Sequence, residues 1–236
     1  MSVLAIVQAR MGSLRFPSKV MQPINGTPMI EFLLNRLSQS KKIDRIVLAT
    51  STDGKNQLLV EHVQTAGYGV FRGSEDDVLD RFYSAALEIK PAPDIVVRIT
   101  GDCPFIDPVV VDEVICALQE NDVEYASNVD PPTFPDGLDV EVFTYSALAE
   151  AWKHATSHHD REHVTPYIKK ITKESSHNVI NIADHSSHRW TVDETEDFET
   201  IQNVCDVFAP RTNFTWQEVM QCYEENPTLF SSNQHL

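Results

Sequence analysis

Apolar and polar residues follow two rhythms along the first half of this chain. Short, β-branched apolar runs at residues 3–8, 45–50, 69–72, 95–100 and 124–128 read as buried strands. Between them, residues 29–39, 57–66, 78–89 and 109–118 carry apolar positions three and four apart and read as helices packed on one face. Thr27-Pro28 opens the first helix, with Pro28 in a first turn where its missing N–H costs nothing. Asp107-Pro108 opens the fourth in the same way, with Asp107 as N-cap. Strand–helix alternation of this kind predicts an α/β fold: a mainly parallel sheet covered on both faces.

After Asn128 the rhythm changes. A Pro-rich loop at residues 130–137 leads to a strand at 138–143, then two helices, a strand at 179–183, a short segment at 189–192 and C-terminal helices. No repeat, low-complexity tract or long linker divides the chain, so a single domain over residues 1–236 is expected. Residues 231–236 are expected to fray.

Composition narrows the class. The 236 residues are 42% hydrophobic, enough for a sizeable core, and carry a net charge of −16. So acidic a chain excludes a duplex nucleic-acid binder, which needs a basic face to displace counterions, and an anionic membrane surface as partner. No apolar run approaches the roughly 20 residues that span a bilayer, and the first run lacks the basic flank of a signal peptide. A soluble, cytoplasmic protein is expected. Cys103, Cys116, Cys205 and Cys222 are widely spaced without C-x-x-C, which reads as reduced thiols rather than a zinc site or a disulfide framework.

Against that acidity, the first 30 residues hold Arg10, Arg15 and Lys19 and no Asp or Glu. These cations follow the first strand, and parallel sheets bind ligands outside the carboxyl ends of their strands. Gly12 and Ser13 supply a turn. Arg forks, a Lys point charge and turn N–H groups are the means by which proteins hold polyphosphate. Neither a Walker A loop nor G-x-G-x-x-G is present.

Four further constellations carry chemistry. Thr100-Gly101-Asp102-Cys103-Pro104 brings one carboxylate to the same sheet edge. Asp102 is either a Mg²⁺ ligand, completed by substrate phosphates and waters, or a turn aspartate capping its own backbone. Asp193 follows a short strand and is either a metal ligand or a plain N-cap; Glu196 and Asp197 suit the first turn of the next helix. In residues 134–143, alternation puts Asp139 and Glu141 on one face, opposite Leu138, Val140 and Val142. That pair of like charges fits a polyol hydroxyl or an amine, or is a solvated strand face. His154, His158, His159 and His163 have i,i+4 spacings but lack H-E-x-x-H, so a solvated helix face is the default. Arg161 and His163 remain candidate contacts to an anionic substrate.

Residues Gln8-Ala9-Arg10-Met11-Gly12-Ser13-Leu14-Arg15-Phe16-Pro17-Ser18-Lys19 resemble the A-R-x-x-S-x-R-x-P-x-K fingerprint of the CMP-sugar cytidylyltransferases. That family includes the acylneuraminate and 3-deoxy-manno-octulosonate enzymes, and the chain is most similar to its spore coat polysaccharide biosynthesis branch. Segments 46–51, 71–74, 98–104, 135–143, 161–167 and 191–193 extend the resemblance over nearly the whole chain. Phe16 stands where Leu is usual, and Glu194-Thr195 where Thr-Pro is common.

The resemblance implies a three-layer nucleotidyltransferase fold with a mostly parallel mixed sheet. A nucleotide-binding half would end near residue 128, and an acceptor-binding and dimerisation half would span about 129–230, with a homodimer formed through an arm. It implies Mg²⁺-dependent transfer of CMP from CTP to a sugar-type acceptor, with pyrophosphate released. Ala9, Arg10, Gly12, Ser13, Arg15 and Lys19 would hold the CTP phosphates. Arg72 and Gly73 would contact the cytidine, with Thr100 close to base or ribose. Asp102 and Asp193 would hold Mg²⁺, and with Arg15 and Lys19 would form the catalytic set. Asp136, Asp139, Glu141, Arg161 and His163 would face the acceptor. Two alternatives lack their usual marks: a glycosyltransferase of related fold would show D-x-D, and a UTP- or GTP-dependent enzyme G-G-x-G-T-R. The acceptor stays open among ulosonic acids, sugar phosphates and other alcohols.

Overall fold

The computed structural model describes residues 1–233. Its strands are β1 (Val3–Gln8), β2 (Pro23–Ile24), β3 (Thr27–Pro28), β4 (Arg45–Ser51), β5 (Gly69–Gly73), β6 (Ile95–Thr100), β7 (Tyr125–Ser127), β8 (Glu141–Thr144) and β9 (Ser176–Asn178). Its helices are α1 (Met29–Leu37), α2 (Gln57–Thr65), α3 (Val78–Glu88), α4 (Pro108–Glu120), α5 (Tyr145–His154), α6 (His158–His163), α7 (Thr165–Ile171), α8 (Thr195–Phe208) and α9 (Trp216–Glu225). The main sheet runs β5-β4-β1-β6-β8-β7-β9. All pairings are parallel except those of β8, which runs against β6 and β7. This is the mostly parallel mixed sheet expected.

Strand β1 is central and apolar on both faces. Val3, Ala5 and Val7 pack into one core with Leu33, Phe105 and Val142, while Leu4 and Ile6 pack into another with Phe82, Phe143 and Leu148. Helices therefore cover both sides. Gln8 lies opposite Ala49 on β4 and Thr100 on β6, so three strands end level and send their loops to one edge.

The second half departs from expectation in several places. The strand expected at 138–143 begins only at Glu141. The reason is Asn128: its amide donates to the Leu138 carbonyl at 2.8 Å and accepts from the Val140 N–H at 2.8 Å, standing in for a neighbouring strand. Three helices replace two, because Val164 at φ 69° interrupts the path between α6 and α7. The pairing strand is β9, upstream of the expected 179–183, since Ser176–Asn178 matches β7. Segment 189–192 forms one bridge, Asp136 with Arg189, rather than a strand. Thr27-Pro28 forms a small hairpin with Pro23-Ile24, and Pro28 is the N-cap of α1 instead of lying in its first turn. Residues 231–233, expected to fray, belong to a 3₁₀ turn with Asn233 buried; residues 234–236 lie outside the described residues.

Candidate active site

Past β1 the chain turns through the Arg10–Lys19 loop. The Ser18 N–H closes it onto the Met11 carbonyl at 3.1 Å, and Asn56 Oδ1 accepts from the Met11 N–H at 2.8 Å. Ser18, at φ 60°, reverses the chain into a 3₁₀ turn that begins at Lys19. That reversal carries Lys19 beneath its own loop. Its ammonium donates to the Val192 carbonyl at 2.6 Å, to Asp193 Oδ1 at 2.9 Å and to Asp102 Oδ2 at 3.2 Å. An ammonium has three hydrogens, so all its donors are engaged.

Asp102 reaches this point on the loop after β6. The Gly101 N–H donates to the Gln8 carbonyl at 2.8 Å, drawing that loop against the first. A Cβ at Gly101 would lie 2.6 Å from that of Ala9, so the approach requires glycine. The Asp102 carbonyl in turn accepts from the Val192 N–H at 2.8 Å, which brings Asp193 alongside. Arg15 closes the group from above, with Nη2 2.9 Å from Asp193 Oδ2 and Nη1 3.3 Å from Glu194 Oε1. Burial works against charge on Asp193, but Lys19 and Arg15 outweigh it and hold its carboxyl below the usual range. Asp193 is not the cap of α8; Glu194 is, in a capping box with Asp197.

These groups border one cavity of about 480 Å³. Its wall includes Ala9, Arg10, Gly12, Ser13, Arg15, Lys19, Thr100, Asp102, His163 and Asp193. Among the described residues no three His, Cys, Asp or Glu side chains group as a metal cage. Two carboxylates converging on one cation do fit Mg²⁺, which takes one or two carboxylates and completes its shell with phosphate oxygens and water. Cys103 lies beside Asp102, but burial and that carboxylate push its thiol well up, so it is no nucleophile.

Residues 4–233 match the family model for cytidylyltransferases. The chain belongs to the cytidylyltransferase family. Its sequence is 32% identical over 233 residues to the spore coat polysaccharide biosynthesis protein SpsF of Bacillus subtilis, covering 95% of each chain. It is 35% identical over 128 residues to the 8-amino-3,8-dideoxy-manno-octulosonate cytidylyltransferase of Shewanella frigidimarina, covering 53% of this chain and 51% of that one. A solved cytidylyltransferase from Leptospira borgpetersenii superposes with a TM-score of 0.92 at 33% identity, covering 99% of this chain and 98% of that one. The chain is thus a nucleotidyltransferase of that fold.

Several residues expected at the site of this cytidylyltransferase lie elsewhere. Arg72 and Gly73 are not in the cavity wall. The Arg72 guanidinium instead donates to the carbonyls of Ser51, Thr52 and Asp53 and to Gln57. Arg161 grips Asp77, the N-cap of α3, with Nη2 at 2.6 Å and Nε at 2.9 Å from Oδ2, and bonds the carbonyls of Trp152 and Ala155. It anchors α6 and leaves His163 at the cavity. Glu141 is buried among Arg98, Lys169 and Tyr125, so it is a buried ion-pair partner, whereas an acceptor contact was expected.

Asp136 and Asp139 are not in the cavity wall either, but both lie close enough to feel the Asp102 charge. Burial, opposed by Arg189, leaves the Asp136 carboxyl above its ordinary value. Asp139 has an exposed surface, yet protein surrounds it at longer range; that enclosure, together with Asp136 and Glu141, pushes its carboxyl up to about 6.

The sequence reading missed Gln8, Glu75, Arg81 and His158, which also border the cavity. Glu75 pairs with Arg10. Its signal was position alone: it lies just past β5, the fourth parallel strand to end at this edge.

Proposed function

We propose that this cytidylyltransferase moves CMP from CTP to an oxygen of a sugar-type acceptor, with Mg²⁺ and release of pyrophosphate. The observation that carries the reading is the Lys19 ammonium bridging Asp102 and Asp193 under a loop bearing Arg10 and Arg15, in a single cavity. A triphosphate suits such a cavity, because its charge meets two guanidinium forks, an ammonium and the turn around Gly12 and Ser13. Mg²⁺ held by Asp102 and Asp193 would offset charge on the phosphates. Arg15 would stabilise the charge of the departing pyrophosphate, and Lys19, whose hydrogens are taken by Asp102, Asp193 and the Val192 carbonyl, would act by holding the two carboxylates; orientation plus such stabilisation is most of what phosphoryl transfer requires.

The names of the relatives, an octulosonate cytidylyltransferase and a spore coat polysaccharide protein, support a sugar-type acceptor and a role in polysaccharide assembly. Asp136 and Asp139 would receive that acceptor's hydroxyl or amino groups. Among the described residues no helix is long and apolar enough to cross a membrane. Ile180 and Ile182 are exposed on the segment after β9 and would cover one another in a homodimer.

The test is pyrophosphate release with Mg²⁺, CTP and a panel of ulosonic acids, sugar phosphates and polyol phosphates, with UTP, GTP and ATP in parallel. CTP-dependent release with one acceptor class is the expected result. Release with another triphosphate, or no binding of CTP, overturns the reading.

A further inference from the structure

Lys19, Arg15 and the Asp102 loop hold Asp193 from the cavity side, Arg189 Nη2 lies 3.6 Å from its Oδ2, and its backbone is held by groups outside the cavity wall. Asp197, fully buried in the first turn of α8, accepts through Oδ2 from the Asp193 N–H at 2.9 Å and the Glu194 N–H at 3.0 Å. The Arg189 fork grips the same carboxylate, Nε to Oδ1 at 2.8 Å and Nη2 to Oδ2 at 2.9 Å. Asn233 Nδ2 donates to Asp197 Oδ1 at 3.0 Å and to the Arg189 carbonyl at 3.0 Å. None of the three side chains borders the cavity.

Capping accounts for only part of this. Of the Asp197 side chain a capping box needs only the bond from the Glu194 N–H, which Glu194 reciprocates by accepting from the Asp197 N–H. The bond to the Asp193 N–H lies outside the helix, the bidentate arginine comes from the preceding segment, and Asn233 comes from a turn 36 residues beyond Asp197. The clamp also reaches the acceptor side. The Trp190 N–H donates to the Asp136 carbonyl at 2.7 Å, and the Asp136 N–H donates to the His188 carbonyl at 2.9 Å, so the two segments are tied together.

We infer that Asp197, Arg189 and Asn233 are positioning residues that fix the Asp193 backbone so that its carboxylate faces the cavity in the pose a divalent cation needs. The inference rests on the proposed role of Asp193 as a Mg²⁺ ligand. Outer partners of metal ligands typically contribute 10- to 100-fold in metal affinity by holding the ligand in place.

The experiment is calorimetric titration of CTP into the full chain, once with Mg²⁺ and once with EDTA. The ratio of the two affinities isolates the metal-dependent gain. In Asp193→Asn the gain should vanish. In Asp197→Asn it should shrink about tenfold or more, and in Asn233→Ala several-fold, while affinity in EDTA stays at the wild-type value. Arg189→Lys keeps the charge but loses the fork, and should shrink the gain as well. If Asp197→Asn fails to fold, the other two variants carry the test. A full gain in the clamp variants, with the gain lost in Asp193→Asn, overturns the clamp and leaves the Asp193 assignment standing. Equal losses in Mg²⁺ and EDTA make the clamp merely structural and overturn it too. A full gain in Asp193→Asn, or none in the wild type, overturns the metal reading itself.

Discussion

Arg98 on β6 and Glu141 on β8 are direct partners in the antiparallel register, with Nη1 2.6 Å from Oε2. Glu141 also accepts from the Tyr125 hydroxyl at 2.7 Å and from Lys169 at 2.9 Å. Burial would raise its carboxyl, but Arg98 and Lys169 outweigh burial and keep it below the usual range. A buried carboxylate answered by two cations belongs to the scaffold. Glu141→Ala leaves Arg98 unpaired in the sheet while Lys169, 36% exposed, can turn to water, and should cost about 3 kcal/mol of stability, the low end for a broken buried pair, read by urea denaturation. Its effect on CTP affinity in the folded fraction should be small.

Lys19 holds the two carboxylates together, so its loss should act on the chemical step. Lys19→Ala and Asp102→Asn are each expected to lower kcat/KM by roughly 10²–10³, the scale for one electrostatic stabiliser. Steady-state pyrophosphate release gives the number. Lys19→Arg should not restore turnover, because a planar fork cannot meet three acceptors arranged around one nitrogen. Wild-type rates in the first two variants would refute the site.

Asp139 sets a pH dependence. Its carboxyl, pushed up to about 6, is neutral below that pH and charged above it. A carboxylate accepts hydrogen bonds from hydroxyls or amines better than the protonated acid does. Acceptor kcat/KM should therefore climb as pH rises through about 6. Asp139→Asn should flatten that limb of the profile between roughly pH 5 and 7.

Asp197 sets a different one. Burial opposes its charge, but the bonds from Arg189, Asn233 and two backbone N–H groups prevail and hold the carboxyl at about 2. Because this lies below the unfolded value of about 3.9, the charged group stabilises the fold above that pH. The contribution, roughly 2 kcal/mol, should disappear as pH falls from about 4 to about 2. Acid unfolding followed by circular dichroism should show a shallower fall over that window in Asp197→Asn.

Gly101→Ala tests the approach of two loops. The added Cβ would meet Ala9 Cβ at 2.6 Å and the Gln8 carbonyl at 3.0 Å, where only backbone can yield. A cost of about 1–3 kcal/mol and a loss of turnover are expected, read by melting temperature and by pyrophosphate release.

Most of the first half was legible because each strand there is a continuous apolar run and each helix has one apolar stripe. The convergence of the Arg10–Lys19 loop with Asp102 was legible too, since both follow parallel strands and must meet at one edge. The second half was harder. Alternation at Leu138, Val140 and Val142 is real, and all three are buried, but their backbone partner is the Asn128 side chain, which no periodicity reveals. The same alternation set Glu141 beside Asp139, yet the arginine that claims Glu141 stands 43 residues earlier on β6. Arg161 looked free because its partner, Asp77, lies 84 residues upstream. Charge type is visible in sequence; which distant charge answers it is fixed only by topology.

The lysine that joins the two aspartates has a temporal meaning as well. Asp102 lies 83 residues after Lys19, and Asp193 lies 174 after it. A chain emerging from the ribosome can pair β1, β4, β5 and β6 and pack their helices long before Asp193 is translated. Until then the amine has one carboxylate, and the loop above it lacks the counter-charge that Arg15 also needs. Under the proposed function, nucleotide handling would therefore arrive late in synthesis, and a nascent chain arrested halfway would hold four of the seven strands of the main sheet with an inert edge.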